Sequence, residues 1–354
     1  MAISSNSTPT LSIQSTAPQK CNGTNRWIVM AILSLVSVYT TASQVDSLYI
    51  RPFEQNFSLR TYLVQNYTSI TQEFNIDNYE NFEYRTNRPL SIGLGISWNN
   101  SSISGSYGFP FMRDRQKGKT HTLAFQYHYY GRKIVLDFVL QRHKGMYKQH
   151  ENEKIPFELS PDTKVIQYGV SGFYVFNGNR FSYKSAFDLS ELQLRSVGSF
   201  ILGGAIYKNK IEAANSVVIS DKHGRIDSIS HTQKNIQIGV NLGYAYSWII
   251  KRKYFIAASM TVGASLGTES INKIGKRKPD LYPSFNPRVA IGYHGKEWSV
   301  STSLFANQIY TFYSENMNRG INTMSLQLTI VKRLGRQPKI LDKVPSIPNW
   351  HRNF

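Results

Sequence analysis

Ile236-Gln237-Ile238-Gly239-Val240-Asn241-Leu242-Gly243-Tyr244-Ala245-Tyr246-Ser247-Trp248 is the stretch on which the fold turns. Its even positions are apolar and end in three aromatics, and its odd positions are Gln, Gly, Asn, Gly, Ala and Ser. Alternation with a period of two puts these sets on opposite faces of one extended strand. Strands of soluble sheets run about 5–6 residues, whereas a tilted strand that crosses a bilayer needs about 9–11. The 13 residues here favour the second reading, and aromatics at a strand end mark a membrane interface.

The pattern recurs on both sides. Ile92, Leu94, Ile96 and Trp98 alternate with small residues, as do Leu123, Phe125, Tyr127 and Tyr129. Ile134 to Leu140, Ile256 to Leu266 and Met324 to Ile330 follow the same rule. Tight links at Asn99-Asn100, Gly131-Arg132, Asn177-Gly178-Asn179, Lys251-Arg252 and Gly295-Lys296 alternate with long polar links near 73–87, 111–118, 144–162, 208–233, 269–284 and 314–319. Alternating short and long links are the grammar of outer-membrane barrels. The strands so delimited are 58–72, 88–98, 101–110, 119–130, 133–143, 163–176, 180–206, 234–249, 253–268, 285–294, 297–313 and 320–333. Segment 180–206 is too long for one simple strand, and splitting it at Ser190 to Arg195 breaks the alternation of links, so it is read as one kinked or bulged strand. The expected fold is all-β: a closed antiparallel up-and-down transmembrane β-barrel of about twelve strands over 44–335.

Composition agrees. Of 354 residues, 22 are Tyr, 19 Phe and 24 Gly, and the apolar share is only 41%. That share excludes a bundle of membrane helices but suits a wall that is polar on one face. Arg26 precedes a short apolar run from Trp27 to Val38, and Thr40 and Ala42 supply the small residues of a cleavage site. This predicts a secretory signal peptide within an N-terminal leader, 1–43; a buried core helix is the plainer alternative. Cys21 is the single cysteine and precedes the run, so the exported chain carries none. Disulfide frameworks, thiolate metal sites and cysteine nucleophiles are thereby excluded. The tail 336–354 is basic and contains Pro338, Pro345 and Pro348, so it is not a further wall strand.

The formal charge of +19 raises the question of nucleic acid. No zinc-finger, basic-zipper or RNA-binding signature accompanies it, and no nucleic-acid partner is expected. Outer-membrane lipid and anionic lipopolysaccharide are the natural surroundings, with the barrel-assembly machinery as the partner during insertion.

The segments Tyr49-Ile50-Arg51-Pro52-Phe53, His128-Tyr129-Tyr130-Gly131-Arg132, Gln141-Arg142-His143-Lys144-Gly145-Met146-Tyr147 and Ser196-Val197-Gly198-Ser199-Phe200 carry a resemblance. Together they resemble domain of unknown function 4421, a family of Bacteroidota-type bacteria taken to form outer-membrane barrels, over most of 45–333. The resemblance implies a location and a shape. It implies no activity and no catalytic residues.

Candidate chemistry is sparse. Gly263-Ala264-Ser265-Leu266-Gly267 matches the nucleophile-elbow pattern but lies in an alternating strand with no helix after it. His121, His128, His143 and His150 fall in two adjacent hairpins, and no spacing singles out a serine partner. No cofactor and no metal is expected, since metal-binding, calcium-loop and phosphate-loop motifs are lacking. Parity of the strands points Arg60, Gln126, His128, Asp137 and Arg288 into the lumen, with His128 and Asp137 able to meet across the Gly131-Arg132 turn. Trp98, Tyr127, Tyr129, Tyr244, Tyr246 and Trp248 are the candidates for the aromatic girdle. Inward charges either fill a small barrel or line a narrow porin-like passage. The expectation is a non-enzymatic barrel, structural or passing a small ligand. A membrane-embedded lipid hydrolase of phospholipase type and a secreted soluble β-sandwich binding module are the alternatives.

Overall fold

The computed structural model describes residues 45–335 and 338, apart from 76–80, 88–89, 110, 112, 151–156, 220–225, 272–274, 277–278 and 314–316. The leader, its cleavage site and Cys21 lie outside the described residues, as does all of the basic tail but Pro338.

Twelve antiparallel strands form a closed ring. In chain order the elements are β1 (Ile50–Pro52), β2 (Phe57–Phe74), β3 (Phe82–Arg85), β4 (Leu90–Trp98), β5 (Ser101–Gly108), β6 (His121–Tyr130), β7 (Ile134–His150) and β8 (Glu158–Val175). They continue with α1 (Tyr183–Phe187), β9 (Glu191–Gln193), β10 (Val197–Ile219), β11 (Ile226–Ile250), β12 (Tyr254–Ile271), β13 (Gly275–Lys276), β14 (Asp280–His294), β15 (Trp298–Tyr313) and β16 (Met317–Leu334). Each wall strand pairs with the next, and β16 returns to β2 in unbroken register from Met317↔Phe74 to Leu334↔Phe57. Closure removes the unpaired edges that an open sheet would expose.

The alternation read from the sequence is the alternation seen. Ile236, Ile238, Val240 and Leu242 of β11 are exposed on the outer face, Val240 at 68%. Their neighbours Gln237 and Asn241 are buried on the inner face. The short turns use the backbone those links demand: Asn99, Lys251 and Arg252 all have positive φ, as tight hairpin turns require. Aromatics ring the short-turn end on the outer face, where Phe200 meets Tyr244 at 5.1 Å, Tyr246 meets Trp248 at 4.6 Å and Tyr254 meets Tyr293 at 5.1 Å.

Two expectations are corrected. Segment 180–206 is not one bulged strand. Residues 177–196 leave the wall, fold into the ring as α1 and β9, and rejoin it as β10. Trp98 is not part of the outward girdle: it is 3% exposed, with its indole Nε1 buried and without a hydrogen-bond partner among the described residues. It ends β4 opposite Phe57 and Ser101, which are buried too, so this part of the rim is packed. The other five girdle candidates lie on the outer face, Tyr244 and Trp248 exposed and Tyr127, Tyr129 and Tyr246 half-buried.

The link 73–87 also contains structure. Its β3 pairs with both β2 and β7, standing above the short β5–β6 hairpin and completing the long-link rim where those strands stop. Gly145 makes the step possible. Its φ of +84° lies at the bulge between Lys144 and Met146, and a Cβ there would come within 2.0 Å of Lys119 O.

Candidate functional site: a plugged lumen with a polar chamber

The plug is built from a run that cannot serve as a wall strand. Phe181-Ser182-Tyr183-Lys184-Ser185-Ala186-Phe187 places aromatics at one, three and seven, but a short polar residue caps the turn between them. Ser182 Oγ accepts from Ser185 N at 3.0 Å, starting a single helical turn. The turn buries Tyr183, Ala186 and Phe187 against Tyr130, Phe173, Ile201 and Phe255, which project inward from the wall. Tyr183 and Phe187 rings lie 4.6 Å apart. Burial of these rings is the main force holding the plug.

Polar contacts fix its orientation. Glu191 accepts from Arg132 Nη1 at 2.6 Å, from Arg132 Nη2 and from Ser182 Oγ at 2.6 Å. Gln193 takes Ser182 N at 2.8 Å and donates to Arg180 O at 2.6 Å and Tyr49 O at 3.1 Å. Lys184 Nζ donates to Asn99 O and, at 3.3 Å, to Asn100 Oδ1, tying the plug to the β4–β5 turn. Burial lowers the Lys184 pKa, opposed by Glu191 and Asp188; burial raises that of the Tyr183 phenol. On the other flank β1 pairs with β9, and Arg333 lies over the Phe53 ring at 3.4 Å while donating to Leu189 O at 3.2 Å.

All five residues predicted to face inward line one cavity above this plug. His128 Nδ1 and Asp137 Oδ1 are 2.7 Å apart, opposite each other across the Gly131-Arg132 turn. Arg288 Nη2 donates to Asp137 Oδ2 at 3.0 Å, and its guanidinium lies 5.5 Å from the Phe173 ring. Gln126 Oε1 is 3.4 Å from His128 Nε2. Arg60 is drawn down to the plug instead, donating to Asp188 Oδ1 at 2.6 Å and Asp188 O at 2.8 Å. Buried charges survive only when paired, and each arginine has a carboxylate partner, Asp188 for Arg60 and Asp137 for Arg288.

The cavity measures about 170 Å3. Its walls are mostly amide, hydroxyl and phenol groups, among them Asn66, Gln167, Tyr207, Asn241, Asn286 and Gln327. Toward the long-link end a second packed layer closes in. Ile70, Phe74, Phe82, Tyr84, Met146 and Val165 cluster there on the inner face. Beside them Arg319 donates to Gln72 Oε1 at 3.1 Å and Gln233 Oε1 at 2.9 Å, and Gln233 donates to Glu269 at 2.8 Å. The chamber therefore lies between a floor and a roof, both made of the chain itself.

Ser265 is buried in the wall at 5% exposure, and a Cβ on Gly239 would fall 2.1 Å from its Oγ. His143 is held between Thr68 Oγ1 at 3.2 Å and Thr122 Oγ1 at 3.1 Å. His121 points outward, and the side chain of His150 lies outside the described residues. Among the described residues no group of acidic, histidine or cysteine side chains has metal-binding geometry.

Asp188, Glu191, Gln193 and Tyr183 were not anticipated. The available signal was length: 27 residues between links is far more than one crossing needs. The segments that carry the resemblance also gain a place. Tyr49–Phe53 supplies β1 and the Phe53 ring, His128–Arg132 supplies Tyr130 and the grip on Glu191, and Ser196–Phe200 is where the chain re-enters the wall.

No curated protein matches the chain in sequence. The structure is similar to the outer membrane protease OmpT of Escherichia coli at 9% identity, covering 82% of this chain and 99% of that one, TM-score 0.40. It is similar to the translocator domain of the autotransporter NalP of Neisseria meningitidis at 9% identity, covering 88% and 97%, TM-score 0.41. The ring assignment rests on its own strand pairing. A family model matches residues 44–332, and the chain belongs to the family described as Domain of unknown function (DUF4421).

Proposed function

We propose that this chain is a non-enzymatic outer-membrane barrel, exported behind a cleaved leader and inserted by the barrel-assembly machinery, whose lumen is shut to free diffusion along its axis and holds a small polar chamber. The outer apolar stripe, with lipid and lipopolysaccharide around it, supports the location. One observation carries the closed state: Tyr183 and Phe187 stand buried inside the ring, among inward residues of the strands around them. A porin keeps such space for water.

Membrane fractionation under urea, with heat-modifiable gel mobility, tests the location. Recovery of the folded chain as a detergent-free soluble monomer contradicts it. Planar-bilayer recording tests the closed state. The intact chain gives no steady conductance, and replacing 182–190 by a Gly/Ser linker of equal length, together with Phe74→Ser, Phe82→Ser and Met146→Ser in the roof, gives discrete open steps. A steady conductance from the intact chain overturns the reading.

A further inference from the structure

In an antiparallel pair, a residue's N–H and C=O point to the same neighbour, and the side alternates along the strand. On β14, His294 N bonds Lys253 O on the β12 side, while the next residue, Gly295, bonds Trp298 O on the β15 side. β14 keeps one register with β12 from Asp280 to Tyr293, so its odd positions all face β15. Two of those positions are Pro283 and Pro287, which have no N–H to give. Proline in a sheet belongs at edges; two on one side of one wall strand turn that side into a seam. The ladder records it. Rows pair from His294 to Arg288, part at Asn286 and Pro287, resume in the same register at Phe285 and Ser284, and end.

β15 is held by other means beyond that point. Tyr310 O, which stands opposite Pro283 in the same register, accepts from Gln237 Nε2 at 2.5 Å. Thr311 O accepts from Gln233 Nε2 at 3.2 Å and Asn235 Nδ2 at 3.4 Å. Those amides belong to the inner face of β11, so the end of β15 turns inward and roofs the chamber, with Thr311 wholly buried. The register of β15 with β16 shifts at the same place, between Tyr310 and Phe312.

Outside the seam lies a cleft of about 370 Å3, flanked by Phe285, Pro287 and Met324 on one side and by the Glu83–Arg85 ion pair of β3 on the other. It shares Ala306, Asn307 and Thr323 with the chamber. Three buried polar atoms there have no hydrogen-bond partner among the described residues: Asn307 Oδ1, Asn322 Oδ1 and Thr323 Oγ1. Buried acceptors left unpaired are costly, and a ligand that donates to them recovers that cost.

We infer that the β14–β15 seam is a lateral binding site for a membrane amphiphile with an uncharged, hydroxyl-bearing head. The head donates to Asn307, Asn322 and Thr323, and the chain lies against Phe285, Pro287 and Met324, in the bilayer. A carboxylate head is disfavoured, because the amide oxygens of Asn307 and Asn322 only accept, and Arg85, which also lines the cleft, is already paired with Glu83 at 2.7 Å. The site rests on the ring spanning a bilayer, which fractionation tests separately.

The probe is a 1-monoacylglycerol carrying a diazirine in its chain, mixed into vesicles of phosphatidylethanolamine and phosphatidylglycerol that hold the folded full-length chain. Photolysis and mass spectrometry are expected to place label on peptides containing 283–287, 306–310 and 322–324, about tenfold above the opposite wall at Leu123 and Phe125. The fatty acid of equal chain length labels the seam no more than that wall. Pro283→Val with Pro287→Val restores the missing donors, closes the seam and lowers seam labelling about fivefold. Should that pair fail to fold, Asn307→Leu with Asn322→Leu and Thr323→Val removes the three acceptors without touching the backbone and gives the same loss. Even labelling around the barrel, equal labelling by the fatty acid, or seam labelling unchanged in a folded variant overturns the inference, while heat-modifiable mobility reports independently that the ring is intact.

Discussion

β11–β12 and β14–β15 are adjacent parts of one wall with the same inward and outward alternation, and they behave oppositely. β11 and β12 stay in register from Gln233↔Ile271 to Ile250↔Tyr254 without a break. β14 and β15 part at Pro287 and separate beyond Ser284. Side-chain pattern is the same in both, so it does not decide which interface holds. Backbone donors decide it: β11 and β12 contain no proline, and β14 places two on one side. Alternation says which residues meet lipid. The placement of prolines says where the ladder is interrupted.

The largest effect expected concerns the plug that closes the ring beneath the chamber. Glu191→Ala leaves Arg132 and Ser182 without their shared acceptor and destabilises the plug by about 2–4 kcal/mol. Hydrogen exchange of amides in 182–193 should accelerate while the amides of β11 and β12 stay protected; uniform acceleration would mean that plug and wall unfold together. Next comes the continuous wall itself. Val240→Arg puts a charge on the most lipid-exposed row of β11 and costs about 2–4 kcal/mol of folded, inserted protein. The heat-modifiable fraction should fall, whereas Asn241→Ser on the inner face should leave it unchanged. A tolerated Val240→Arg would break the comparison, because both interfaces would then lack a lipid face.

The smaller effects sharpen it. Arg252→Gly relieves a residue held at φ +57° in the β11–β12 turn and is expected to stabilise by about 1 kcal/mol. Pro287→Val supplies a donor to the parted row and is expected to add about 0.5–1.5 kcal/mol. Unfolding midpoints in urea measure both. A loss at Pro287→Val, with the chain still folded, would show that the parted row is set by packing and not by the missing N–H.

Most of the wall was legible because a membrane strand writes its two environments on alternate residues. Ile236 to Trp248 is the clearest case, and His128 with Asp137 shows how far the reading reaches: counting outward from Gly131-Arg132 places the two opposite each other. The plug was not legible in that way. Its single turn is set by where Gln193, Glu191 and Tyr183 find partners on distant strands, and local pattern carries no such information. Trp98 was misassigned because parity gives the face of a strand but not whether the rim above that face is covered. The inward turn of β15 depends on side-chain amides three strands away, so only Pro283 and Pro287 announced it.

The claim beneath everything is that even positions of β11 meet hydrocarbon and odd positions meet the packed interior. Nitroxide labels placed singly at 236 to 243 in the vesicle-inserted chain test it through collision with dissolved oxygen, which concentrates in hydrocarbon. The account predicts high oxygen accessibility at 236, 238, 240 and 242 and low accessibility at the residues between. Equal accessibility along the stretch, or even positions reached instead by a water-soluble nickel complex, would contradict it.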